Sequence, residues 1–225
     1  MKKLFILMGC AALMTNCFNM NIGLGKGILC KGPVVEKEIE GLTDFNVISV
    51  NGSADLFYTQ ADTYSVKVEA NEEVFDHIDY KVEQGVLQLS AKNNANIRAE
   101  KYDIYVCAPD LTGITVNGAS DVIQRGEYQS DKEFSVVVNG AGDLDFKDFK
   151  VPAFSISVNG AGDIKVARMD VEKLTISVNG AGDAVVSGKA ASAHFSVNGA
   201  GDIDAHELEC DDITTHKGGI ASIRL

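Results

Sequence analysis

The sequence predicts an all-β solenoid, a single-stranded parallel β-helix with about 20 residues per turn, and three observations carry that prediction. The hexapeptide Val-Asn-Gly-Ala-Gly-Asp stands unchanged at 138–143, 158–163, 178–183 and 197–202, with looser copies at 116–121 and 50–55. From Asn117 to Asn139, Asn159, Asn179 and Asn198 the steps are 22, 20, 20 and 19 residues. At such a period each repeat is one supersecondary unit that buries its apolar face only by stacking on its neighbours. The second observation is alternation ahead of each copy: Phe134, Val136, Val138; Phe154, Ile156, Val158; Leu174, Ile176, Val178; Phe195, Val197. Ser135, Ser155, Ser157, Thr175, Ser177 and Ser196 stand between them, so one face is apolar and the other small and hydroxylated, as in a half-buried strand. The third is the hexapeptide's own composition. Glycine accepts the positive φ of a tight corner, asparagine is the next most tolerant residue, and recurring glycines with β-branched neighbours oppose a helix. Alternation resumes after each corner in Leu144 and Phe146, Ile164 and Val166, Ala184 and Val186, and Ile203 and Ala205. Each repeat is therefore strand, corner, strand.

Taken from its start, the chain opens with Lys2 and Lys3, an apolar run from Leu4 to Leu13, and Cys17. That run is shorter than the roughly 20 residues a membrane span needs and reads as an export signal. A cysteine closing such a signal marks a bacterial lipoprotein, so residues 1–16 are expected to be removed and Cys17 to be lipidated, although Met14 and Asn16 depart from the usual residues before that cysteine. Secretion with plain cleavage nearby is the alternative. Residues 17–33, rich in Gly and Asn without periodicity, are expected to be a flexible tether, and 34–225 a single β-helical domain. Within it, the 66 residues between Asn51 and Asn117 are divided by Asn71 and Asn93 into steps of 20, 22 and 24. The alternating stretches 66–71 and 87–93 read as two worn turns; a separate small β-domain over 44–112 is the rival reading.

With 20 Lys and Arg against 32 Asp and Glu the net charge is −12, which disfavours nucleic acid and anionic headgroups as partners. Beyond Cys10 and Cys17 the cysteines are Cys30, Cys107 and Cys210, with no C-x-x-C pair and so no disulfide framework or metal spacing. The four histidines, His77, His194, His206 and His216, are scattered. No zinc helix, phosphate loop, nucleophile elbow or dinucleotide fingerprint is present. No catalytic residue, metal site or cofactor is expected.

These residues resemble the bacterial head GIN domain family, lipoprotein-like proteins described as autotransporter adhesin heads and common in Bacteroides and its relatives. The likeness lies in 45–56 (Phe-Asn-Val-Ile-Ser-Val-Asn-Gly-Ser-Ala-Asp-Leu), in 64–70 (Tyr-Ser-Val-Lys-Val-Glu-Ala) and in the Asn-Gly-Ala-Gly-Asp corners, and spans roughly 33–225. It implies a right-handed β-helix, the hand that crossovers prefer in general, and brings no set of functional residues with it. The last turn, 216–222, is a degenerate copy.

The function expected is a non-catalytic binding or adhesion module on an outer-membrane lipoprotein of the cell envelope. Its partners would be the membrane through the lipid, and a polysaccharide or an envelope protein. A polysaccharide-processing β-helix enzyme is the alternative, disfavoured by short corners; an envelope scaffold is a third. Two outward rows, Ser135, Ser155, Thr175, His194 and Val137, Ser157, Ser177, Ser196, are expected to ladder on one flat face and bind an extended polymer. The column Asp121, Asp143, Asp163, Asp183 and Asp202 is expected to be structural. Each carboxylate would accept N–H groups of its own corner, as Asx turns do, rather than hold calcium; Asn117, Asn139, Asn159, Asn179 and Asn198 mark the same corners. The final turn, 220–225, offers an uncovered edge at which either end-to-end self-association or a partner is expected.

Overall fold

A computed structural model describes residues 27–225. The expected signal peptide (1–16), the lipidation site Cys17 and most of the tether lie outside the described residues. The chain is all-β, built on one large mixed sheet that does not close into a barrel. Its strands are β1 (Ile28–Cys30), β2 (Val34–Glu38), β3 (Val47–Gly52), β4 (Asp55–Gln60), β5 (Ser65–Asn71), β6 (Ile78–Glu83), β7 (Val86–Ala91), β8 (Ile97–Ala99), β9 (Tyr102–Ala108), β10 (Gly113–Ala119), β11 (Val122–Arg125), β12 (Tyr128–Gln129), β13 (Phe134–Ala141), β14 (Leu144–Lys147), β15 (Phe149–Ala161), β16 (Ile164–Ala181) and β17 (Ala184–Arg224).

From β10 onward every pairing is parallel, and those among β10 to β17 are one repeat long. Phe134 faces Phe154, which faces Leu174; Val138 faces Val158, which faces Val178, which faces Val197. After the corner Leu144 faces Ile164, which faces Ala184. All of these inward residues are buried, and with Tyr128, Phe149, Val151, Met169 and Val171 they form one continuous core. Its centre is an aromatic cluster in which Phe134 meets Tyr128, Phe146, Phe149 and Phe154 at ring-centroid distances of 5.1 to 6.2 Å.

The corners explain the glycines. Gly118, Gly140, Gly160, Gly180 and Gly199 stack in one column, and a Cβ on any of the last four would lie 1.9 to 2.0 Å from the carbonyl oxygen of the glycine before it. Their φ values, between +142° and +150°, are also ones that side chains resist. A second corner was not foreseen. There Asp148 and Arg168, both with φ +54°, and Gly188 with φ +124° take the left-handed turn, and Arg168 donates to the Asp148 carboxylate across successive repeats.

Two stretches depart from the turns expected of them. The stretch 66–71 is not a worn turn, because β5 lies antiparallel between β2 and β9. The stretch 87–93 is one only in part: β7 runs parallel to β3, but Ser90 rather than Asn93 meets Asn51, and β6 closes an antiparallel hairpin on β7 through Gln84 and Gly85, both at positive φ. The chain from 61 to 112 is an excursion that covers one end of the stack, after which β10 returns to pair directly with β3, Asn117 on Asn51. This region shares the main core, against the reading of a separate 44–112 domain. The tether also ends early, since β1 pairs in parallel with β8 and buries Cys30.

Candidate functional site

The parallel register turns single residues into columns, with neighbouring members about 4.8 Å apart. Ser135, Ser155, Thr175 and His194 fall in one column, with a 3.2 Å contact between the Ser135 and Ser155 hydroxyls. Val137, Ser157, Ser177 and Ser196 fall in the next. All eight are half-buried, as small side chains on a flat sheet must be. The second column continues through Thr115, Ser49 and Gln88, which sequence reasoning passed over because they precede the regular repeats.

Beside these rows runs a ladder of amides. Asn117 donates from Nδ2 to Oδ1 of Asn51 at 3.0 Å, and Asn139, Asn159, Asn179 and Asn198 each donate to the asparagine before them at 3.0 to 3.1 Å. An amide carries two donor hydrogens and two acceptor lone pairs. Each asparagine inside the ladder therefore keeps one N–H and one lone pair for solvent or a ligand, and all of them are exposed.

The aspartates on the far side of the corner form a second ladder, but not within their own corners as expected. Oδ1 of Asp55, Asp121, Asp143, Asp163 and Asp183 accepts the backbone N–H of Asp121, Asp143, Asp163, Asp183 and Asp202 respectively, at 2.8 to 3.1 Å, and Asp202 accepts from Ser222. The acceptor reaches one repeat ahead because successive corners superpose and bring the next aspartate's N–H within hydrogen-bond distance. The carboxylates thus clip corner to corner, each contact offsetting repulsion that amounts to roughly 1 kcal/mol per close pair in water. Asp55 begins the column; burial pushes its carboxyl up, against the pull of the Asp121 N–H. Asp121, Asp143, Asp163 and Asp183, with Ile123, Lys165 and Val185, edge an open groove of about 680 Å³. Among the described residues no group of three or more His, Cys, Asp or Glu is placed to hold a metal ion.

The same outward face carries aromatics near the covered end. Phe57 and Tyr105 stack at 4.9 Å, and the Arg125 guanidinium lies 4.2 Å over the Phe57 ring. The ring faces are thereby used on each other and on Arg125, which leaves little flat surface for a sugar.

The family described as "Putative auto-transporter adhesin, head GIN domain" matches residues 44–225. The chain belongs to it. Solved structures similar to this head GIN domain include a putative adhesin from Bacteroides fragilis, at 19% identity and TM-score 0.70, covering 88% of this chain and 99% of that one. A putative adhesin from Parabacteroides distasonis is 22% identical with TM-score 0.79 over 87% of this chain and 84% of its own. A protein from the same organism titled a putative lipid binding protein is 21% identical with TM-score 0.76 over 88% and 98%. At these identities the likeness concerns the fold. No curated protein sequence matches the chain.

Proposed function

We propose that this head GIN domain is the body of an exported outer-membrane lipoprotein, anchored through Cys17, whose repeats wind as a right-handed single-stranded parallel β-helix. It acts as a non-catalytic binding and adhesion module for an extended polymer, a polysaccharide in the first place. The observation that carries this reading is the flat face on which the two hydroxyl columns and the asparagine ladder run side by side in register. A periodic ligand laid along the stack meets an amide at every repeat and hydroxyls at most of them, Val137 and His194 being the interruptions. Each hydrogen bond contributes only about 0.5–1.5 kcal/mol, but the donors and acceptors are already fixed by the sheet, so little ordering entropy opposes their sum.

The test uses protein isolated from its own membranes, with the mass of its N-terminal residue read alongside a titration against linear neutral and acidic polysaccharides. A diacylglycerol-modified Cys17 and saturable binding are expected. Ser157→Lys with Ser177→Lys, both on the flat face, should reduce that binding at least tenfold while leaving the circular dichroism spectrum unchanged. Undiminished binding by the double variant dismisses the face, and an unmodified Cys17 dismisses the anchor.

A further inference from the structure

The two ends of the stack are built differently. One is covered by the excursion, where β2, β5 and β6 lie antiparallel to their neighbours and put Glu36, Lys37, Glu38, Lys81 and Glu83 along the outer strands. At the other end lies the last turn of β17. Gly219 sits on Gly199, the Ser222 N–H donates to Asp202, and Arg224 reaches Asp204 at 3.1 Å. Among the described residues, 207–225 are thus the outermost layer, and β16 is the one strand paired with β17.

That layer is an incompletely buried core. Leu208, Cys210, Ile213, Ala221 and Ile223 pack against the core from one side and are only half-buried, whereas Ala190 and Ala193, one repeat before Cys210 and Ile213, are buried. Ile220 is 86% exposed and Leu225 60%. Charge along the layer is polarised: Glu207, Glu209, Asp211 and Asp212 fall in its first half, Lys217 and Arg224 in its second. In the register that sets Gly219 on Gly199, Thr215 and Lys217 stand where Phe195 and Val197 stand one repeat earlier. A lysine on an open edge discourages indiscriminate strand pairing and admits a partner that presents a carboxylate there.

We propose that this layer binds a second copy of itself, end to end about a two-fold axis near Thr214 and Thr215, resting on the winding proposed above. The opposite end presents the charged edge strands β2 and β6, which disfavour head-to-tail addition, and an isologous contact closes at two. Two identical ends that meet must run antiparallel. The acidic half of each layer then lies along the basic half of the other, with Asp211 and Asp212 over Lys217 and with Glu207 and Glu209 towards Arg224, while Leu208 and Cys210 meet Ile220 and Ile223. The flat hydroxyl faces play no part in the contact and remain available for a polymer.

Cysteine cross-linking of the full chain tests this. Thr214 is exposed and next to the axis, so Thr214→Cys under a mild oxidant should give a disulfide-linked dimer that neither the parent chain nor Lys37→Cys, at the covered end, gives. Adding Lys217→Glu should reduce the yield at least tenfold, and adding Asp211→Lys and Asp212→Lys to that chain should restore it. Circular dichroism and thermal melting, unchanged in these surface variants, separate loss of the contact from loss of the winding. A Thr214→Cys chain that melts normally and stays uncross-linked overturns the proposal. Equal cross-linking by Lys37→Cys, or a charge exchange that restores nothing, does so as well.

Discussion

Gly180→Ala is expected to destabilise the protein by on the order of 3–5 kcal/mol, a large share of the stability of an ordinary domain. The added Cβ would stand 1.9 Å from the Gly160 carbonyl oxygen, and its φ of +147° is one that alanine resists. The oxygen cannot yield, because backbone above and below fixes the two corners in register; Gly180 pairs with both Gly160 and Gly199. The strain would therefore part the repeats locally and expose the core beneath. Gly126→Ala is the control: φ there is +79° but nothing lies within 4 Å of the new Cβ, so only conformational strain remains, about 1 kcal/mol. Chemical denaturation of both variants measures the difference, and equal losses would show that the stacked corners are not the constraint.

Phe134→Ala is expected to cost about 4 kcal/mol, within the range for deleting a buried phenyl ring. Phe134 is 1% exposed and touches four other rings. These come from three stretches of chain: Tyr128, then Phe146 and Phe149, then Phe154. None can collapse into the space without leaving its own strand, so a cavity should persist. Phe134→Leu, which keeps most of the volume, should lose clearly less; a Leu variant as damaged as the Ala variant would mean that ring geometry, not volume, matters there.

How much was legible in the sequence follows from what repeats. Asn-Gly-Ala-Gly-Asp recurs because the same backbone contact recurs, and the columns of serine, asparagine and aspartate followed from the period alone. The second corner escaped notice because Asp148 and Arg168 take the left-handed turn without being glycine and are held there partly by their own ion pair; arginine holds the carboxyl of Asp148 below its usual range through that hydrogen bond. The excursion from 61 to 112 was misread because period-two alternation reports burial on one face and carries no direction. Val66 and Val68 alternate the same way in an antiparallel strand as in a parallel one. The aspartate ladder was placed on the right residues with the wrong donors, since local spacing suggests an Asx turn but not that the stacking brings the next repeat's N–H to the carboxylate.

On the function proposed, the repeats are interchangeable turns whose outward hydroxyls and amides act together on one polymer. Removing residues 160–179 joins Asn159 to Gly180 and leaves the corner sequence intact, so one turn is lost without a change of register. Titrating a linear polysaccharide into this shortened chain should give saturable binding, weaker than that of the full chain by several-fold. Affinity equal to that of the full chain, or no binding at all, would contradict the account.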